Sequence, residues 1–314
     1  MPGEILVTGA AGFIGRHCAL LCAASGYQVT ALDIKPAPQD VALVCRVLRA
    51  DLAQPDVLEE VRAGRFAAVI NQGGISSTTE SDRDLLRRTN TDGPLALADA
   101  CAASGTRFVY ASSHSVYGTF EKGTLIAEDA GPGQCSGPLN RYAASKLALD
   151  REMARRPAGP TWVGLRYTNV FGPFEEHKKA MASIISQILR RAAQGERIPV
   201  FADTLQASRD YVPVREVAGV CLRLVDAEVP SGIYNLGSGL PVSFATLLEW
   251  CAEFTGSPLD VRLVANPLSA RYQYWTGADM TKLRAALPGA GRLDIGGVRA
   301  RARELFDVFE AGKP

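Results

Sequence analysis

Ile5-Leu6-Val7-Thr8-Gly9-Ala10-Ala11-Gly12-Phe13-Ile14-Gly15 is the stretch that decides the reading. Ile5–Thr8 has the continuous apolar and β-branched character of a buried strand, and Phe13–Ser25 carries a helical pattern. Three glycines fill the junction at the spacing G-x-x-G-x-x-G. Glycine lets the chain turn sharply and lets a ligand approach the backbone. The first turn of the helix adds unpaired N–H groups and the positive end of a dipole. Together they predict a pyrophosphate cradle for a dinucleotide, with Gly9, Gly12, Phe13, Ile14 and Gly15 against the cofactor. The spacing is not the more familiar G-x-G-x-x-G, so the strand-to-helix setting carries the inference rather than the string.

Working outward, Gln28–Leu32 reads as a second strand that delivers Asp33. A carboxylate at that point accepts ribose hydroxyls and repels a 2′-phosphate, which favours NAD. Lys35, Arg46 and Arg49 lie close enough in sequence to keep NADP as the alternative. Val44–Arg49 reads as a third strand, after which Asp51-Leu52 either borders the adenine or makes a turn. Further strands are predicted at Ala67–Ile70, Arg107–Ala111 and Thr161–Arg166, with helices at Pro55–Ala63, Leu85–Ala103 and Asn140–Arg156. Such alternation predicts an α/β fold with a parallel sheet covered on both faces. After Arg166, prolines at 173, 199, 213, 230, 241 and 267 cut the chain into shorter pieces. Helices are expected at Met181–Gln194, Arg215–Asp226, Phe244–Phe254 and Asp279–Leu287. The expected division is a dinucleotide-binding domain over 1–166, rejoined by residues around 208–227, and a smaller, interleaved substrate lobe over 167–314.

Composition narrows the class. The chain has 314 residues, 47% of them hydrophobic, and its 34 Lys and Arg nearly balance 33 Asp and Glu. A net charge of +1 excludes a bulk electrostatic partner such as DNA. Seven cysteines, none in a C-x-x-C pair, point to a reduced, cytoplasmic protein. No leader pattern and no apolar run of about 18 residues is present, so no membrane association is expected. The three histidines, His17, His114 and His177, lack metal-ligand spacing.

Tyr142-Ala143-Ala144-Ser145-Lys146 sets a phenol and an ammonium one turn apart on a predicted helix. A free Tyr, with a pKa of about 10, is a poor base at neutral pH, and a neighbouring cation favours its phenolate. Such a Tyr can take a hydroxyl proton while the cofactor takes hydride from the same carbon. Ser112-Ser113-His114-Ser115 follows the fifth strand, at the sheet edge where ligands sit. Ser113 is the candidate to bond the reacting oxygen, and Ser112 is read as a structural turn hydroxyl.

With these motifs in place, the chain resembles the extended short-chain dehydrogenases/reductases, the family of nucleotide-sugar epimerases and dehydratases. The resemblance spans nearly the whole chain and implies a Rossmann-type doubly wound sheet. Longer strings narrow it: SSTTE (76–80), PLNRYAASK (138–146), RYTNVFGPFEEHKKAMAS (166–183), SRDYV (208–212), SGIYNLGSG (231–239) and ARYQYWTGADMTKLRAA (270–286). These are most similar to the ADP-heptose 6-epimerase branch.

That resemblance implies catalytic roles for Ser113, Tyr142 and Lys146, with a second acid/base at Lys178. It further assigns Gln72, Gly73, Asn90 and Val170 to the cofactor, beside Asp33, Asp51 and Leu52. Ser76, Asn169, Ser183, Gln187, Phe201, Arg209 and Tyr272 fall on its substrate side, with Arg209 at the diphosphate. The implied activity is epimerisation of an NDP-sugar through a transient ketone, with tightly bound, recycled NAD(P), on an ADP-heptose at carbon 6. A side-chain carbon that turns between the two passes presents its oxygen elsewhere, which gives the second lysine its purpose. Departures from the branch at Lys179, Ala180, Gln187 and Asn71-Gln72 keep another NDP-heptose or an NDP-hexose as the alternative. A 4,6-dehydratase would want acids after the strand-end Ser, where His114-Ser115 stand. A non-catalytic NAD(P) sensor would not need Ser113, Tyr142 and Lys146. The two long helices, rich in apolar residues, predict a homo-oligomer.

Overall fold

The computed structural model describes residues 3–156, 159–267, 269 and 272–312, without the side chains of Glu176, His177 and Ala180. Leu268 and the motif residues Ala270 and Arg271 lie outside the described residues. Strand β1 (Glu4–Thr8) leads into α1 (Phe13–Ala24), then β2 (Val29–Asp33), α2 (Gln39–Val44), β3 (Arg46–Arg49) and α3 (Pro55–Arg62). Next come β4 (Phe66–Asn71), α4 (Arg83–Arg87), a π turn (Arg88–Asp92), α5 (Gly93–Ser104) and β5 (Arg107–Ser113). A 3₁₀ turn (His114–Tyr117) precedes α6 (Arg141–Ala154) and β6 (Trp162–Tyr167).

The main sheet runs β3-β2-β1-β4-β5-β6, all parallel, as the sequence pattern implied. Side chains alternate across it. Ile5 and Val7 of β1 face a core that includes Cys18 and Cys22 of α1, whereas Leu6 faces α3, α5 and α6 through Val61, Leu97 and Leu149. Strand order reverses between β1 and β4, and at such a switch point the loops diverge to leave a crevice at the carboxyl ends.

The rest of the chain adds β7 (Asn169–Phe171), α7 (Ile184–Gln194), β8 (Ile198–Phe201), β9 (Ser208–Pro213), α8 (Val214–Asp226), β10 (Gly232–Leu236), β11 (Pro241–Ser243), α9 (Phe244–Thr255), β12 (Val261–Val264), α10 (Thr281–Ala286) and α11 (Ile295–Ala311). Strand β10 pairs parallel to β6 and makes a seventh strand of the main sheet, while α8 joins the core around α1. Strands β7, β9 and β11 form a small mixed sheet, and α7, α9 and α11 share a separate core with it.

Several expectations need correction. Helix α2 and the whole of α11 were not expected. Yet Val298, Ala302, Leu305 and Phe306, the buried residues of α11, follow helical spacing, and Asp294 caps it by accepting the Gly297 N–H at 2.7 Å. Two glycines and three arginines in the segment obscured that stripe. The predicted strand from Val44 begins at Arg46, and the helix predicted from Met181 begins at Ile184. The long helix predicted over Leu85–Ala103 starts at Arg83 and is interrupted by the π turn, which carries the buried Asn90. Its apolar residues, with those of α6, are spent inward: no exposed large hydrophobic side chain lies on either. A groove between them of about 590 Å³ is lined by apolar Leu86, Leu95 and Ala148 together with charged Arg83, Arg141 and Glu152, among others.

Candidate active site

The glycine loop is tight at two positions. Gly9 has φ +66°, and a Cβ there would lie 2.7 Å from the Gln72 carbonyl carbon and Gly73 nitrogen. A Cβ on Gly15 would stand 2.1 Å from the Gly9 carbonyl oxygen. No side chain caps α1 at Gly12, which leaves the amides of its first turn for an anion. Asp33, at the end of β2, accepts the Ala11 N–H at 3.0 Å and the Lys35 N–H at 2.9 Å. Its carboxylate is thus fixed at the rim of the loop with acceptor capacity to spare for hydroxyl donors. A cradle closed to side chains, an uncapped helix start and a rim carboxylate fit a dinucleotide.

Gln72 and Gly73 follow β4 on the far side of the crevice. Thr8 Oγ1 accepts the Gly73 N–H at 3.1 Å, and Gln72 Nε2 donates to the Tyr167 hydroxyl at 2.9 Å. Leu52 packs in the core under Gly73, whereas exposed Asp51 accepts the Ala53 N–H at 2.8 Å, the bond of a turn acid. Val170 is buried in the main core. Asn90 is spoken for: it donates to Ile75 O (2.9 Å) and Ser145 Oγ (3.0 Å) and accepts from Ile75 N (2.8 Å). Rather than facing a ligand, it clamps the loop after β4 onto α6.

Asn140 caps α6 through the Ala143 N–H at 2.8 Å, so the helix starts just ahead of Tyr142. Ser113, the last residue of β5, hydrogen-bonds the Tyr142 phenol. The Ser113 and Ser115 hydroxyls are 2.8 Å apart. Burial holds the Tyr142 pKa above its ordinary value, and the Ser113 bond pulls against that. Lys146 donates to Ala111 O at 2.9 Å and is brought down to about 8 by burial, opposed by Asp150. A Cβ on Gly74 would be 3.5 Å from Lys146 Nζ, which places the ammonium beside the loop after β4. Ser113, Tyr142 and Lys146 are therefore brought together at the switch point. Buried Ser112 turns the other way, donating to Asp150 at 2.9 Å.

The second lysine rides on the 3₁₀ segment Glu176–Met181. Lys178 Nζ lies 3.7 Å from Glu175, so the lysine given the second acid/base role is ion-paired. Glu175 is buried and also accepts from Gly172 N (3.2 Å), Ser183 N (2.6 Å), Ser183 Oγ (2.9 Å) and Ser186 Oγ (2.9 Å). Ser183, expected on the substrate side, has its hydroxyl engaged by Glu175 and by the cap of α7. Gln187 donates to Ala182 O at 2.8 Å. The side chains of His177 and Ala180, both singled out in the sequence, lie outside the described residues. Glu175 went unnoticed in the sequence, although its place three residues before Lys178 was a usable signal.

On the small lobe, Arg209 and Asp210 are both buried, on opposite faces of β9. Asp210 accepts from Ser238 N (2.8 Å), Ser238 Oγ (2.7 Å), Gly239 N (3.1 Å) and Ala278 N (3.0 Å). The Arg209 guanidinium stacks 5.0 Å from the Tyr272 ring, itself edge-on to Phe201 at 6.0 Å. Burial lowers its pKa, a sign of a desolvated cation. Asn169 donates to Asp210 O (3.1 Å) and Thr276 Oγ1 (3.0 Å). Ser76 is exposed in the loop after β4.

The profile of the NAD dependent epimerase/dehydratase family matches residues 5–237, from β1 to the end of β10. The chain belongs to that family. Its enzymes work with NAD, and the cradle built by Gly9, Gly15 and Asp33 fits that cofactor. Among solved structures, MoeE5 in complex with UDP-glucuronic acid and NAD is 26% identical, with a TM-score of 0.81 over 98% of this chain and 99% of that one. The UDP-glucose 4-epimerase of Thermus thermophilus, complexed with NAD, is 26% identical, with a TM-score of 0.79 over 97% and 99% of the chains. The ADP-L-glycero-D-manno-heptose-6-epimerase of Helicobacter pylori shares the fold, with 24% identity and a TM-score of 0.86 over 99% and 97%. No helix among the described residues of this family member is long and apolar enough to cross a membrane.

Proposed function

We propose that the protein epimerises the sugar of a nucleoside diphosphate sugar by transient oxidation to a ketone and re-reduction at the same carbon. The observation that carries this reading is Ser113, Tyr142 and Lys146 converging beside the glycine cradle. NAD, held by the Gly9–Gly15 loop and Asp33, would supply the hydride chemistry. Tyr142 removes the hydroxyl proton and later gives it back, Ser113 holds the reacting oxygen, and the Lys146 ammonium favours the phenolate. Arg209, a buried cation stacked on Tyr272, suits diphosphate oxygens, and Asn169, Phe201 and Tyr272 border the ligand. Residues 1–166, with α8 and β10, hold the cofactor, and the lobe around α7, α9 and α11 holds the sugar nucleotide.

His114 argues against elimination. It occupies the place where a dehydratase would want an acid, yet it is buried, bonded to Gly277 O at 3.3 Å, and pushed down to about 4 by burial. It therefore stays neutral, and no proton donor for loss of water stands there.

The first substrate is an ADP-heptose, epimerised at carbon 6. Lys178, held by Glu175, supplies a second acid/base for an oxygen that moves when a side-chain carbon turns. The second reading is a 4-epimerase of an NDP-hexose, favoured by the departures at Lys179 and Gln187 and by the likeness to the UDP-glucose 4-epimerase. We also propose a homo-oligomer, paired through the groove of mixed apolar and charged residues between α4 and α6.

The test is proton NMR of ADP-D-glycero-D-manno-heptose with the purified protein in D2O, without added cofactor. Conversion to the L-glycero epimer with no deuterium at carbon 6 is expected. An inert heptose beside turnover of UDP-glucose would establish the second reading. Tyr142→Phe, assayed on the converted substrate, should lose about 100-fold or more in turnover; near-normal turnover would sink both readings.

A further inference from the structure

Below the catalytic pair lies a buried charge that the reaction as described does not use. Asp150 sits on α6, one turn beyond Lys146 and two beyond Tyr142. Its carboxylate accepts from Ser112 Oγ (2.9 Å) and the Tyr110 hydroxyl (3.1 Å), the residues on either side of Ala111. Ala111 is the residue whose carbonyl holds Lys146 Nζ. The third donor is Arg166 Nε at 2.8 Å, from β6. Arg166 continues to the Tyr117 hydroxyl (2.8 Å) and Glu128 O (3.1 Å). Asp150 and Arg166 are both buried, with side chains 1% and 8% exposed.

We propose that Asp150 is a positioning residue for the Tyr142–Lys146 pair: it fixes the end of β5 against α6, and its charge keeps Lys146 an ammonium.

Stability alone does not ask for this arrangement. Burying two charges is expensive, and apolar residues of similar volume often replace such a pair at little cost or with gain. What an apolar pair cannot supply is a negative charge below the lysine. Burial alone disfavours the ammonium, and Asp150 is the group that opposes it. The other titratable or charged groups on elements packed against α6 do not replace it. Tyr110, Tyr117 and Tyr234 are phenols held above their usual range, His114 is held neutral, Arg166 is already paired, Arg107 donates to the Leu224 and Ala227 carbonyls, and Arg83, Asp84, Arg87, Arg88, Asp92 and Asp99 are exposed.

The proposal rests on Tyr142 and Lys146 being the reacting pair, but its test need not. In the full chain labelled with 13C-lysine, the Lys146 Cε signal, assigned with Lys146→Arg, is titrated without substrate. In the wild type the midpoint is expected near 8. In Asp150→Asn the lost negative charge and the unpaired Arg166 both disfavour the ammonium, so the midpoint should fall by about one unit. Asp150→Glu should restore it. With the substrate that NMR identifies, the alkaline limb of kcat should move down with the midpoint while KM and bound NAD stay near wild type. An unmoved midpoint and limb, with only a lowered melting temperature, would overturn the proposal and leave Asp150 structural. If Asp150→Asn does not fold, the double variant Asp150→Leu/Arg166→Leu is read in the same way. Full activity of Tyr142→Phe would sink the functional reading, while an inactive Tyr142→Phe beside an unchanged Asp150→Asn titration would sink this proposal alone.

Discussion

Lys178 stands over Phe13, its Nζ 4.9 Å from the ring centre, so the second lysine is held above the first turn of the helix that opens the cofactor cradle. The segment around it is pinned to α1 at further points: the Arg16 guanidinium lies 3.6 Å from the centre of the Phe174 ring, and His17 Nε2 is 3.1 Å from Pro173 O.

If Lys178 handles a proton, Lys178→Met should lower kcat on ADP-D-glycero-D-manno-heptose about 100-fold or more, with bound NAD and KM near wild type. Single-turnover and steady-state rates would both show the loss. A rise in KM at unchanged kcat would instead make it a phosphate clamp, because uniform binding is what such a change removes.

Lys179 has φ +48° and ψ −121°, a conformation natural to glycine and strained for a lysine. It is exposed, so its side chain contributes little packing. Lys179→Gly should relieve about 1–3 kcal/mol of strain against about 1 kcal/mol of added freedom in the unfolded chain. A net gain of about 1 kcal/mol is expected in urea unfolding, with turnover retained. A loss of more than about 1 kcal/mol would show that the side chain, not the backbone, decides the fit.

His114 makes stability fall in acid. Its folded-state pKa of about 4 lies below the unfolded value of about 6.5, so the unfolded chain binds the proton first. The contribution is fully present above about pH 6.5 and is lost as pH falls through about 4. It amounts to about 3 kcal/mol over that window. Urea midpoints measured from about pH 7 to 4 should drop less steeply in His114→Gln than in the wild type; parallel slopes would contradict the assignment.

The parts of the site that the sequence made legible are those built from near neighbours. Gly9 to Gly15, Asp33 at a strand end, and the one-turn spacing of Tyr142 and Lys146 are local patterns whose chemistry follows from the residues themselves. Asp150 and Glu175 escaped notice because an acid in a helix or a loop is usually solvated, and nothing local says otherwise. Asn90 was noticed for a place beside the cofactor; that it clamps the loop after β4 onto α6 follows from the π turn that carries it into the core, which no local pattern announced. The arginine-rich α11 shows the same limit, since its apolar stripe has value only once α7 and α9 are there to cover it.

By itself, the sequence determined the parallel β/α order, the dinucleotide cradle and the one-turn spacing of Tyr142 and Lys146, all written in periodicity and spacing over a few residues. The tertiary structure alone decided that β10 returns to complete the main sheet, that Arg209 and Asp210 are buried on opposite faces of one strand, and that Lys178 is paired with a carboxylate buried under its own loop. Whether a charge is solvated, paired or stranded depends on what lies a few ångströms away through space. That neighbour is commonly far away along the chain, and only the fold supplies it.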